Sequence, residues 1–106
     1  MNTEPLTDVQ SLDRVLHERR RLAIVSALAP TQGLSFRELK DALQLTDGNL
    51  SVHLKVLEEA GYIKVNKSFV KRRPQTRASL TDEGRQALTE YVDQLESIIQ
   101  HVRATP

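Results

Sequence analysis

Six cationic side chains and no acidic one lie in residues 62–80 of this 106-residue sequence. The whole chain is nearly neutral, with 15 Lys and Arg against 14 Asp and Glu, so positive charge is concentrated here and is not in general excess. Ammonium and guanidinium groups without neighbouring carboxylates bind phosphate, and Arg can do so through two parallel hydrogen bonds. The interval therefore predicts a phosphate-facing element, with an ordinary solvated loop as the alternative. The cations are Lys64, Lys67, Lys71, Arg72, Arg73 and Arg77.

Residue types that perform catalysis are not arranged for it. The sequence has no cysteine, and it contains no paired carboxylates, Ser-His-Asp set or glycine-rich phosphate loop. His17, His53 and His101 lie far apart and form no ligand pair at helical spacing, so we expect neither a metal site nor a cofactor. A binding protein is predicted, and not an enzyme. No apolar run could span a bilayer and the first residues lack a secretory pattern, so a cytoplasmic protein without a membrane partner is expected.

Apolar spacing divides the chain, taken as a single domain, into four helices and one hairpin. Apolar residues recur every three or four positions over 9–29, which predicts a first amphipathic helix. Ser35 begins a capping box that predicts a second helix over 35–43. After a two-residue link, Thr46 caps a third helix over 46–60. Two short helices joined so tightly indicate a helix-turn-helix, and the fold class is mainly α with a small β-hairpin (α+β).

The apolar period changes after the third helix. Alternation over 62–80 predicts a two-stranded antiparallel hairpin, with a basic tip at residues 71–77 that Pro74 stiffens. A last helix over 81–103 carries the 4-3-4-3 apolar spacing of a coiled-coil seam. A core this small cannot cover such a helix, so we expect a second copy of the chain to pack on it with help from the first helix. The expected interface residues are Leu12, Val15, Leu16, Leu88, Tyr91, Val92, Leu95, Ile98, Ile99 and Val102.

The outward face of the third helix is small and polar once Leu50, Leu54 and Leu57 turn inward. Such a face fits the major groove of DNA, where an Asn amide can bond adenine and a Val methyl can meet thymine. The hairpin cations would then contact phosphates or a narrow minor groove. For His53, phosphate contact and packing at the core edge are both open. The expected DNA-binding residues are Thr46, Asp47, Gly48, Asn49, Ser51, Val52, His53, Lys55, Lys71, Arg72, Arg73, Gln75, Thr76 and Arg77.

The order of these elements over about residues 12–103 resembles the winged-helix transcription regulators of the MarR and ArsR type. The string LTDGNLSVHLKVLEEAGY at 45–62 is similar to their recognition-helix block. RRPQT at 72–76 and LTDEGR at 80–85 are similar to the wing and the start of the last helix in a compact stand-alone subgroup. The resemblance implies a winged helix-turn-helix with a long C-terminal dimerisation helix. It also implies a homodimer that binds double-stranded DNA sequence-specifically at a pseudo-palindromic operator.

The sequence departs from that pattern and leaves other partners open. Gln44 stands where these regulators usually have Gly, and Lys40 where they usually have a small residue. A small-molecule effector of the MarR kind is neither identified nor excluded, whereas the ligand pattern of ArsR-type metal sensing is missing. An alternative function is a protein interaction module whose hairpin and long helix hold an acidic partner. The modest basicity of the third helix favours this alternative.

Overall fold

The computed structural model describes residues 9–106, and it confirms the predicted α+β fold class. A 3₁₀ turn precedes four helices and a small antiparallel sheet. The first helix, the helix-turn-helix and one face of the sheet enclose a common apolar core. In chain order the elements are the 3₁₀ turn Val9–Ser11, α1 Arg19–Leu28, β1 Leu34–Ser35, α2 Phe36–Leu43, α3 Asp47–Glu59, β2 Ile63–Val70, β3 Arg73–Leu80 and α4 Asp82–Ala104.

The first helix is shorter than its apolar spacing predicts. The expectation of one helix over residues 9–29 is wrong for the first half, because residues 12–18 are not helical and α1 begins only at Arg19. Glu18 is the cause. Its Oε1 accepts the backbone N–H groups two and three residues further on, each at 2.9 Å. In a continuous helix those groups would bond to carbonyls four residues back, so this side chain starts a new helix instead.

The segment before α1 is fixed to the body by Asp13. Its Oδ1 accepts the backbone N–H groups of Val15 at 2.8 Å and Leu16 at 3.0 Å, which closes a local turn. Its Oδ2 accepts the hydroxyl of Tyr62, at the entry to β2. This hydrogen bond, together with burial, raises the pKa of Tyr62 to about 12. The turn is therefore part of the folded unit although it is not helical.

The sheet has three strands where the sequence predicts two. The additional strand β1 pairs antiparallel with β3, with Leu34 opposite Ala78, and the strand order is β1-β3-β2. Two residues cannot show the alternation by which a strand is recognised in a sequence. The sheet therefore ties the end of α1 and the start of α2 to the hairpin.

The hairpin turn is only Lys71 and Arg72, shorter than the predicted tip. Both residues have positive φ, 53° and 67°, as a two-residue type I′ turn requires. The prediction that Pro74 stiffens the turn is wrong, because Pro74 lies within β3 opposite Phe69. The pair next to the closing pair of such a hairpin is not hydrogen-bonded across the strands, so the proline nitrogen faces the open edge of β3, where no donor is needed.

The turn between α2 and α3 places a non-glycine residue in the left-handed region. Gln44 has φ 55° and ψ 45°, and its N–H bonds to the carbonyl of Lys40. Lys40 also pairs with Asp47 across the turn, with Nζ 2.8 Å from Oδ1. Gln44 and Lys40, the two departures from the regulator pattern, therefore contact each other in the same turn. The N-terminal caps of both helices are the predicted ones, with a Ser35 capping box on α2 and Thr46 on α3.

Gln44→Gly is expected to raise the free energy of unfolding by about 0.5–1 kcal/mol, because glycine adopts this conformation without the Cβ penalty. Chemical denaturation of the two proteins measures the difference. Gln44→Ala is the control, since it keeps the Cβ and loses the bond from Gln44 Nε2 to the Asp41 carbonyl, 2.8 Å. Equal stability of the Gly and Ala variants would contradict a backbone origin of the effect.

Hydrogen bonds anchor the N-terminal half of α4 to the body, and Leu95 and Ile98 pack against the core further along the helix. Thr81 caps α4 and donates from Oγ1 to the Gly61 carbonyl at 2.6 Å. Arg85 donates to the Ala29 carbonyl at 2.9 Å, and His17 Nδ1 lies 2.7 Å from the hydroxyl of Tyr91. With 23 residues the helix is about 34 Å long. The molecule measures 64 × 25 × 21 Å.

Candidate nucleic-acid interface

The exposed face of α3 carries short and polar side chains. Leu50, Leu54 and Leu57 are buried, so α3 rests on the core through the stripe that the sequence predicts. Most of the remaining surface of α3 is open to solvent, and a helix with short side chains can approach another surface closely. The major groove of DNA, about 12 Å wide, admits one such helix. The exposed residues of the predicted set on α3 and its cap are Thr46, Asp47, Gly48, Asn49, Ser51, Val52 and Lys55.

His53 turns away from that face and toward α1. Its Nδ1 lies 3.2 Å from Nη1 of Arg21 and 3.8 Å from Oε1 of Glu18, and its side chain is only 13% exposed. Burial acts to raise the pKa of Glu18, but a backbone hydrogen bond from Arg21 and the neighbouring His53 outweigh it, so the pKa lies below its usual value. Of the two sequence interpretations, the structure favours packing. The imidazole ring of His53 is part of the packing contact between α3 and α1.

The wing, defined as β2, β3 and the turn between them, presents its cations to solvent. Lys64, Lys67, Lys71, Arg72 and Arg73 are all exposed. The ion pairs found within residues 9–106 lie elsewhere, so none of these five cations forms an ion pair with a described acidic side chain. Their charge is therefore open to an anionic partner, and phosphate oxygens suit both ammonium and guanidinium groups.

The predicted wing residues nearer the body are less exposed or already bonded. Arg77 donates from Nη2 to the Gly33 carbonyl at 2.9 Å, which ties β3 to the loop before β1. Gln75 and Thr76 are half-buried and lie on opposite faces of β3. The part of the wing with the greatest freedom to meet a ligand is therefore its outer end.

Two clefts beside α3 and the wing are lined by arginines that the sequence analysis did not assign to the site. Arg37, in the first turn of α2, shares a cleft with Arg73 of the wing. Arg19 and Arg20 line a second cleft, between α1 and the α2–α3 turn. Arg20 pairs with Glu18 at 3.5 Å, whereas Arg37 and Arg19 are exposed. No sequence signal could have found them, because each cleft is made by elements distant along the chain.

The predicted interface residues differ in their availability to a second chain. Leu12, Leu16 and Tyr91 are buried in the core of the single chain, so their assignment to the interface is corrected. They are covered because the turn before α1 folds back onto α4. Half-buried members are Val15, Leu88, Leu95 and Ile98, and exposed members are Val92, Ile99 and Val102, at 47%, 48% and 62%. An apolar stripe of α4 thus remains open to solvent.

Within residues 9–106, no three His, Asp or Glu side chains are grouped so that they could hold a metal ion. No helix in the same range has the length and apolar character needed to cross a membrane.

The arrangement of helix-turn-helix and wing matches known proteins. Residues 20–99 match the family of winged helix DNA-binding domains. The protein MJ0432 of Methanocaldococcus jannaschii is 37% identical over 82 residues, which cover 77% of this chain and 89% of the relative. The structure of a transcriptional regulator homologue from Pyrococcus horikoshii OT3 has a TM-score of 0.80 at 31% identity, covering 85% of this chain and 89% of that one.

A third similar structure is that of the transcriptional repressor BigR from Xylella fastidiosa. It has a TM-score of 0.63 and 25% identity, and the match covers 77% of each chain. The family match alone spans well over half of the sequence. The chain therefore belongs to the winged helix DNA-binding domains, a family of DNA-binding proteins and not of enzymes.

Proposed function

We propose that residues 1–106 form one domain and act in the cytoplasm as a transcription regulator of the MarR or ArsR type. The regulator binds double-stranded DNA sequence-specifically as a homodimer. One observation carries the proposal: the small, polar face of α3 adjoins a wing whose five exposed cations from Lys64 to Arg73 form no ion pair with a described acidic side chain. Ser51 of α3 and Lys67 of the wing line the same groove. A single duplex can therefore meet both elements.

In this proposal α3 reads bases and the wing holds the backbone. The exposed residues of α3 and its cap, from Thr46 to Lys55, face the major groove, while the wing lies along adjacent phosphates or the minor groove. His53 positions α3 through its contacts with α1. The assigned wing residues are Lys71, Arg72, Arg73, Gln75, Thr76 and Arg77.

The homodimer is proposed from the open apolar stripe on α4. Val92, Ile99 and Val102 are spaced so that they follow one side of the helix, and a twin helix packed on them would remove them from water. Two-fold symmetry then sets the two α3 helices about 34 Å apart, on successive major grooves of a pseudo-palindromic site.

Selection of binding sites from a random duplex pool tests the proposal as a whole. We expect enrichment of two inverted half-sites whose centres lie about 10 base pairs apart. Enrichment of one unrepeated half-site would contradict the dimer. No enrichment, with no salt-dependent binding of random duplex DNA, would contradict DNA binding and favour an acidic protein partner instead.

Arg72→Ala is expected to weaken binding to every duplex alike and to lower the slope of log affinity against log salt by about 0.9, because one phosphate contact is lost. Asn49→Ala is expected to leave the slope unchanged and to relax base preference at one position of each half-site. Fluorescence anisotropy at several salt concentrations measures both effects.

Arg103→Ala is the matched control for Arg72→Ala, since it removes the same charge from the far end of α4. It should leave affinity and slope nearly unchanged. If all three variants lose affinity equally and without regard to DNA sequence, the division of roles between α3 and the wing is wrong.

A further inference from the structure

Phe69 is the most exposed large apolar side chain among residues 9–106, at 76%. It lies in β2 near the outer end of the wing, directly opposite Pro74 of β3. A phenyl ring left this far in water contributes little burial energy to the fold. Phe69 and Pro74 therefore place two apolar rings side by side near the end of the hairpin, and the single chain leaves both exposed.

The strand alternation decides which way Phe69 faces. Ile63 and Val65 lie on the core side of β2, and Phe69 follows them at even spacing, so it shares their face. Further in along that face, Val65 and Lys67 line a groove together with Ser51 of α3. Phe69 thus lies on the side of the wing that faces α3, further toward the outer end than the groove.

The charges around Phe69 decide what can cover it. Lys67 lies on the same face, in a groove that also includes Glu58 of α3, whereas Lys71, Arg72 and Arg73 follow within four residues and the wing itself has no acid. An apolar protein surface would have to remove these cations from water without pairing them, which is costly. A polyanion with apolar sugar rings between its charges can pair with the cations and cover the phenyl ring of Phe69 at the same time.

We infer that Phe69, supported by Pro74, makes an apolar contact in the minor groove of duplex DNA while the flanking cations bind the phosphates on either side. This inference rests on the proposed function and adds a contact to it. Apolar side chains contact or partly insert between base steps in many minor-groove complexes. The ring would add affinity that does not depend on counterion release, unlike the arginines beside it.

Phe69→Ala in the full chain tests the contact on the selected duplex. Affinity is expected to fall about tenfold, as for the loss of one well-buried apolar group, while the salt slope stays that of the unmodified chain. Val9→Ala is the control, because Val9 is also an exposed apolar residue, at 54%, and lies outside α3 and the wing. It should bind within about twofold of the unmodified chain. Thermal unfolding should be nearly the same for all three proteins.

A tryptophan reporter gives a second, direct reading, since the chain contains no Trp. We expect the fluorescence of Phe69→Trp to become much less accessible to acrylamide when duplex is added, and that of Val9→Trp, outside α3 and the wing, to change little. Three results would each overturn the inference and leave the proposed function standing. They are an unchanged affinity of Phe69→Ala for the duplex, a lowered salt slope for that variant, and a Trp at position 69 that stays accessible to acrylamide in the complex. Absence of salt-dependent duplex binding by the unmodified chain would overturn the proposed function, and the inference with it.

Discussion

Replacing Gly84 with alanine is expected to lower the free energy of unfolding by about 3 kcal/mol, or roughly 15 °C in Tm. A Cβ on Gly84 would lie 2.1 Å from the carbonyl oxygen of Tyr62 and 2.8 Å from its carbonyl carbon. Both atoms are backbone, and they are held there because the N–H of Thr81 bonds to the same carbonyl at 3.0 Å. α4 would have to move away from β2, which outweighs the gain of about 1 kcal/mol in helix propensity.

Gly48→Ala is the matched control, since Gly48 also lies in the first turn of a helix but has open space within 4 Å of the position that a Cβ would take. It should raise stability by about 0.5–1 kcal/mol. Thermal and chemical unfolding of both variants measure the contrast. If Gly84→Ala unfolds like the unmodified chain, α4 does not approach β2 as closely as described.

Ile99→Asp is expected to convert the proposed dimer to a monomer at micromolar concentration and to weaken operator binding about 100-fold or more, because the second half-site is no longer bound by a linked partner. Ile99 is 48% exposed in the single chain, so a charge there costs the monomer little. Between two α4 helices the same carboxylate would be buried without a counter-charge. Sedimentation velocity gives the mass, and anisotropy gives the affinity.

Ser97→Asp controls for the added charge. Ser97 is exposed and lies on the side of α4 roughly opposite the apolar stripe, so this variant should stay dimeric and bind DNA normally. A dimeric Ile99→Asp protein would contradict pairing through α4. A monomeric unmodified chain would contradict the dimer itself.

Capping and apolar-spacing patterns in the sequence predict the structure correctly where it depends on residues three or four positions apart. Ser35 with Glu38 and Thr46 with Asn49 form the expected caps. Failures came where a distant or competing contact decides. Asp13 is bound by Tyr62 and by nearby backbone, so apolar spacing alone did not reveal the turn before α1.

The same distinction holds for the site. The acid-free wing and the small residues of α3 could be recognised because they depend only on residue type and helical spacing. Arg37 could not, since its cleft exists only when β3 lies beside α2. The exposure of Phe69 was equally hidden, because an alternating strand does not say where the body beneath it ends.

The sequence by itself determined the order of helices and wing, the buried leucine stripe of α3 and the segregation of charge, because these follow from side-chain type and short-range hydrogen bonding. Only the tertiary structure decided where α1 begins, that β1 joins the sheet, and that Gly84 must be glycine. It also decided which apolar residues near α4 are already covered and which remain open. Those outcomes depend on contacts between residues far apart in the chain, where the free energy of packing overrides local preference.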